Sequence, residues 1–269
     1  MALKEYFYAL INAVSSIDEV LAIGKSGGEM LPIQNESDID IFVFCNQIPN
    51  IETRQATLKK IDFIIEEMML SETSGRFWGV CDYITIDTSE ICLMYFTISD
   101  MNSEIESVLN GSRLNRENEY FYPTGRCATF LSMYILYDKN GYIAEIKEKL
   151  LIYPLSLSKK LYHRHIIKIK DDEDFERAVQ RKDVLFYHAT LENALDHYLQ
   201  ALFALNKCFF PSRKRTLSFI EGFKCKPTDC SARLLEVIKL GSSAETLSKS
   251  YEVWSVLCKD ILNLEEHTD

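Results

Sequence analysis

The stretch Ala22-Ile23-Gly24-Lys25-Ser26-Gly27-Gly28, followed by Ser37-Asp38-Ile39-Asp40-Ile41-Phe42-Val43-Phe44, decides how this chain is read. Val20 to Ile23 is a short apolar run that ends in glycine, and Ile39 to Cys45 is a second, rich in β-branched and aromatic residues. Both patterns predict strands. The turn leaving the first strand is built from Gly and Ser; glycines let backbone N–H groups converge on an anion, and Ser26 adds a hydroxyl donor. The second strand opens with aspartates at i and i+2, and the two-residue period of a strand points both carboxylates to one face. Adjacent carboxylates repel each other unless a cation lies between them. Mg2+ suits such a pair, because it takes one or two carboxylates and completes its shell with phosphate oxygens and water. A phosphate cradle facing a two-carboxylate clamp is what phosphoryl or nucleotidyl transfer requires.

Each half also has a plainer reading. Taken alone, Gly24-Lys25-Ser26-Gly27-Gly28 is a surface turn that matches neither the full P-loop pattern nor the dinucleotide fingerprint. Asp-x-Asp alone is common at strand entrances, where one carboxylate caps a turn. The two in this order, with a very apolar strand directly after the second aspartate, form the specific signal.

Working outward, residues 2–15 carry Leu3, Phe7, Leu10, Ile11 and Val14 at helical spacing. Residues 53–70 are predicted as a second helix, with Ile61, Ile64, Ile65, Met68 and Met69 on one face. Tyr83-Ile84-Thr85-Ile86 and Ile91-Cys92-Leu93-Met94-Tyr95-Phe96 form a hairpin around Asp87-Thr88-Ser89-Glu90. Met101 to Leu109 is a short helix stopped by Asn110-Gly111, and Ala128 to Tyr137 is a last apolar stretch before the turn Asp138-Lys139-Asn140-Gly141. Beyond Tyr142 helical periodicity dominates, with helices expected near 142–150, 155–169, 172–206 (one helix or two), 213–223, 229–239 and 243–263. The expected fold class is α+β: a small mixed β-sheet with packed helices over 1–138, then an all-α helical bundle over 139–269.

Composition agrees with a globular protein. The chain has 269 residues, 47% of them apolar and 26% charged, enough to bury a core. Thirty basic residues against forty acidic give −10, which disfavours a nucleic-acid partner bound through overall charge. The apolar runs fall far short of the roughly 20 residues of a membrane helix, so no membrane partner is expected. Met1-Ala2-Leu3-Lys4-Glu5-Tyr6 leads into a helix and does not read as a signal peptide. The eight cysteines are scattered without a CxxC pair, which disfavours zinc and favours reduced side chains acting as small hydrophobes. A cytoplasmic protein is the expectation.

The glycine–serine turn and the Asp-x-Asp strand together resemble the signature of the DNA polymerase beta-like nucleotidyltransferase superfamily. The chain as a whole is similar to small bacterial two-domain members such as the aminoglycoside and lincosamide nucleotidyltransferases. Tyr134-Ile135-Leu136-Tyr137-Asp138-Lys139-Asn140-Gly141, Leu202-Phe203-Ala204-Leu205-Asn206, Phe210-Pro211 and Lys214 look like recurring features of one branch. The resemblance implies Mg2+ held by Asp38 and Asp40, with Gly24 and Ser26 on the triphosphate. Lys25, Ser37 and Lys214 complete the expected nucleotide-binding set, although Lys25 stands where a small residue is usual. The resemblance also implies a third carboxylate on a later strand. Aligned by its apolar pattern, that position falls on Cys92. Glu90, two residues earlier and on the same face, is the expected substitute and the third member of the catalytic set with Asp38 and Asp40; Asp82 and Asp87 are weaker ones.

In the second half, Glu192 and Asp196 lie one helical turn apart, either gripping a cationic acceptor or acting as a base, or simply forming a solvated face. His188 and His197 read as surface or core histidines. Arg213-Lys214-Arg215 is the densest positive patch; at a helix start it runs against the macrodipole, which a bound anion would rationalise. The acceptor is expected in the cleft between sheet and bundle. The function expected is Mg2+-dependent transfer of a nucleoside monophosphate from an NTP, with ATP first in line, to a hydroxyl of a small-molecule acceptor, releasing pyrophosphate. The alternative is a catalytically silent nucleotide-binding or regulatory protein of the same fold, motivated by Cys92. A third reading, a transferase acting on RNA or protein, is opposed for RNA by the acidic balance.

Overall fold

A computed structural model describes residues 2–27, 38–75, 77–116, 121–170 and 172–265. The chain opens with α1 (Ala2–Ser15), β1 (Val20–Lys25), β2 (Ile39–Cys45), α2 (Ile51–Leu58) and a 3₁₀ turn over Lys59–Ile64. There follow β3 (Glu67–Ser74), β4 (Val80–Ile86), β5 (Ser89–Thr97), α3 (Ile98–Leu109), α4 (Pro123–Ser132), β6 (Tyr134–Asp138) and α5 (Tyr142–Leu150). The remainder is helical: α6 (Leu155–Ile166), α7 (Asp172–Arg181), α8 (Val184–Leu205), α9 (Thr216–Gly222), α10 (Cys230–Gly241) and α11 (Leu247–Glu265). This is the expected α+β class. No helix among the described residues is long and apolar enough to cross a membrane.

The six strands form one mixed sheet in the order β3-β4-β5-β2-β1-β6. All pairings are antiparallel except β2 with β5, which run parallel from Ile39↔Ile91 to Cys45↔Thr97. Alternation along each strand sorts the side chains onto two faces. One face carries Ile23, Ile41, Val43, Ile84, Leu93 and Tyr95 in a core with Phe7, Leu10, Ile11 and Val14 of α1. On the other, Phe42, Phe44 and Phe96 stack at ring distances of 5.5 to 6.5 Å, and Phe130 of α4 and Tyr142 of α5 close over Phe44 at 5.2 and 5.3 Å. The β4–β5 hairpin turns on Asp87 and Thr88, both at positive φ, as its right-handed twist demands.

The helix expected over 53–70 is shorter and gives way to a strand. Asn50 caps α2 by accepting from the Thr53 N–H at 2.8 Å, but Ile61 leaves helical geometry at φ −124. Met68 and Met69 then lie on the edge strand β3, whose backbone groups pair with β4 from Glu67↔Thr85 to Leu70↔Asp82. The stretch from Ala128 to Tyr137 likewise divides, into the end of α4 and the opposite edge strand β6. The 172–206 stretch is two helices, separated at Lys182 with positive φ and restarted by Asp183 as cap.

Two compact units emerge, one of residues 1–107 and 126–152, the other of 108–125 and 153–269. The boundary expected at 138/139 therefore moves. Residues 139–152 stay with the sheet because Tyr142 packs on Phe44 and Phe130. Residues 108–125 belong with the helices because Tyr122 stacks edge-on to Phe210 at 4.8 Å and the Thr124 hydroxyl donates to the Phe210 carbonyl at 2.9 Å. The second unit is built on α8, whose Tyr187, Leu191, Tyr198, Leu202 and Phe203 are buried, with Trp254 of α11 against Tyr198 at 5.4 Å.

Candidate functional site

Asp40 is the one exposed residue of β2, and Asp38, just before the strand, is exposed as well. Alternation along β2 puts Asp40 on the face of Phe42, while Asp38 precedes the first paired residue, Ile39. Antiparallel pairing brings the end of β1 alongside, and the Ser26 N–H donates to the Asp40 carbonyl at 2.9 Å. The turn and the acidic strand are thus stitched together by backbone. Gly27 follows at φ +53, a conformation open to glycine, and no atom of the described residues lies within 4 Å of where a Cβ would stand.

Other residues of the turn have different duties. Gly24 sits inside the ladder, paired with Phe42 on one side and Ile135 on the other. A Cβ there would meet the Met133 Sδ at 2.1 Å and Ile143 Cδ1 at 3.3 Å, so the glycine is needed for close packing over the strand. Lys25 falls on the opposite face from Gly24 by alternation and is buried; its ammonium donates to the Gly27 carbonyl at 3.1 Å. It supports the turn from beneath. Ser37 lies outside the described residues.

The parallel register sets Cys92 directly beside Asp40, with Tyr83 of β4 on its other side. Cys92 is 7% exposed and bonds to Cys81 on the same face. That hydrogen bond to Cys81, reinforced by burial, raises the Cys92 thiol strongly; Cys81, which receives it, is lowered. Glu90 precedes Ile91 as Asp38 precedes Ile39, so it is level with Asp38 and exposed. Asp87 is spent in the hairpin turn. Asp82 faces the other side of the sheet, where Arg54 forms a buried ion pair with it; Arg54 also donates to the carbonyls of Pro49 and Ser71, and the Ser71 N–H to Asp82. Neither substitutes for the missing acid. Among the described residues no group of three or more His, Cys, Asp or Glu is gathered to hold a metal ion. Two exposed hard oxygen ligands nevertheless fit Mg2+ arriving with a triphosphate, since that ion needs no all-protein cage.

Comparison with known proteins adds little beyond this geometry. A family model described as a domain of unknown function, DUF4037, matches residues 122–215, just over a third of the chain. A crystal structure of a nucleotidyltransferase-like protein from Exiguobacterium sibiricum 255-15 is similar at a TM-score of 0.46 and 12% identity, covering 97% of this chain and 74% of that one. No curated protein matches.

The matched segment contains Glu192, Asp196, Lys214, His165 and His197 of the second unit. Glu192 is engaged by Arg213. Asp196 is buried and accepts from the Tyr122 hydroxyl and from Gln200 Nε2 at 2.9 Å, with Arg116 at 3.6 Å. These acids do not form a free acceptor-gripping face; Asp196 ties Arg116 and Tyr122 to α8. Lys214 is exposed in the segment before α9, its backbone N–H held by the Ser212 hydroxyl at 3.2 Å. It belongs to the second unit and Asp38 and Asp40 to the first. His197 meets His165 of α6 with Nδ1 atoms 2.8 Å apart. Burial, then the neighbouring His197, Arg164 and Lys168, lower His165 to about 3, and burial first also lowers His197. Arg126, held between Glu104 and the Phe77 carbonyl, lies over the Phe42 and Phe96 rings at 5.4 and 4.8 Å. None of the pairs Arg54–Asp82, Cys81–Cys92, His165–His197 or Arg126 with its rings was foreseen. Their members lie 11 to 84 residues apart in the chain, beyond any local pattern.

Proposed function

We propose that the chain is an Mg2+-dependent nucleotidyltransferase that moves a nucleoside monophosphate from an NTP, ATP first among them, to a hydroxyl of a small-molecule acceptor. The observation that carries this reading is Asp38 and Asp40, both exposed, with the Asp40 carbonyl accepting from the Ser26 N–H of the glycine–serine turn. Asp38 and Asp40 would hold the ion, and Ser26 with the Gly27 backbone would face the phosphates. Bound Mg2+ would draw negative charge from the phosphate oxygens as the leaving pyrophosphate develops. The protein's share is to hold Asp40 on a strand locked between two neighbours, with Asp38 immediately before it, so that little reorganisation is needed at Asp40. Gly24 and Lys25 contribute from behind, by packing and by supporting the turn.

The test is transfer of label from α-32P-ATP to a panel of small polyhydroxylated acceptors. Asp40→Asn should lose about a hundredfold or more, since a metal supplies several kcal/mol of charge stabilisation. Unchanged turnover in that variant refutes the assignment. The second reading, a silent nucleotide-binding protein, is favoured by Cys92 beside Asp40. It predicts calorimetric binding of Mg2+-ATP with no transfer to any acceptor.

A further inference from the structure

We infer that the site holds a single divalent cation with its nucleotide, not the pair of ions used by two-metal centres. The inference rests on the reading of Asp38 and Asp40 above and concerns how many ions those residues can retain. Two cations about 3.5–4 Å apart place four positive charges in one site, so a carboxylate bridging or flanking both is needed to offset their repulsion. Each ion also requires hard oxygen ligands in a near-octahedral shell.

The geometry limits that supply. The place beside Asp40 from which a further carboxylate would project is taken by Cys92, through the Asp40↔Cys92 pairing. Sulfur is a soft ligand that suits Zn or Cu(I) better than Mg2+. The Cys92 thiol is moreover buried, with Tyr83 paired beside it on β4. Asp82 is on the far face, paired with Arg54. Glu90 is level with Asp38, one pair of rungs away from Asp40. Among the described residues no third ligand joins the two aspartates. A strand locked on both sides cannot slide to bring one in, because a register shift would move every core side chain.

Counting bound Mn2+ tests this directly. The full chain is titrated with Mn2+ in the presence of α,β-methylene ATP, and bound ion is read from the loss of the free Mn2+ electron paramagnetic resonance signal. Wild type should bind one Mn2+ per chain, and Cys92→Ser should keep that count. Cys92→Asp should bind a second. Two ions on wild type overturn the inference while leaving the aspartate pair intact. A folded Cys92→Asp chain that still binds one ion overturns the assignment to residue 92. Should Cys92→Asp fail to fold by circular dichroism, the counts for wild type and Cys92→Ser decide. Binding that is absent in wild type, or unchanged by Asp38→Asn, overturns the underlying reading of the site instead.

Discussion

Gly24 and Cys92 show how much one residue's neighbours decide. Gly24 reads in the sequence as part of a phosphate-binding turn, yet its lack of a side chain serves the Met133 and Ile143 contacts above the strand. Gly24→Ala should cost about 1–3 kcal/mol of stability, as overpacking does. In a Met133→Ala background the same change should cost much less, because the obstructing thioether is gone. Urea unfolding of the four chains of that cycle measures the coupling. A Gly24→Ala chain with native stability and weakened nucleotide binding would return the residue to the site. Cys92 is the converse case: its position was legible from the apolar pattern of its strand, but its adjacency to Asp40 and its bond to Cys81 come from strand pairing.

Among the elements, α2, β3 and β4 are joined by the buried Arg54–Asp82 pair, 2% and 0% exposed. Arg54 also lies over the Tyr95 ring at 5.3 Å. Removing one partner strands the other charge in the interior, so Arg54→Met should destabilise by about 3–5 kcal/mol. Adding Asp82→Leu should recover most of that loss, because an apolar pair of similar volume avoids desolvation. Guanidinium denaturation of the single and double variants checks it, and a double variant no better than the single would show that the polar network contributes more than charge balance. The same region is where periodicity misled. Met68 and Met69 fit a helical stripe with Ile61, Ile64 and Ile65, and only the partner strand β4 makes an extended conformation the better one. The hairpin and the helix stop at Gly111 were legible because each depends on its own few residues, whereas the periodicity of 172–206 fits one helix or two and the break at Lys182 came from the structure.

For the molecule as a whole, acid should be the sensitive condition. His165 is 3% exposed, its Nε2 has no hydrogen-bond partner among the described residues, and its Nδ1 faces that of His197. Arg164 and Lys168 lower both histidines further, and Asp196 opposes this at His197. His165 is held at about 3 in the fold against 6.5 ordinarily, so between those values the unfolded chain binds the proton and the folded chain does not. Its contribution is therefore present in full above 6.5 and is lost progressively as pH falls toward 3, at up to about 1.4 kcal/mol per unit. Thermal melts taken from about pH 7 to about pH 5 should show a falling Tm, and His165→Leu should flatten that slope. A slope unchanged in His165→Leu would place the acid sensitivity elsewhere.

Composition, period-two alternation and turn chemistry were enough to establish the α+β class, the apolar strand that carries Asp40 and the hairpin, because each is settled within a few residues of chain. The division into units, the duties of Gly24 and Lys25, the counter-ions of Asp82 and Glu192, and the thiol beside Asp40 were decided only in three dimensions. Those outcomes depend on which distant segments bury one another, and that choice is set by the free energy of the whole packed sheet and helices, which no local stretch encodes.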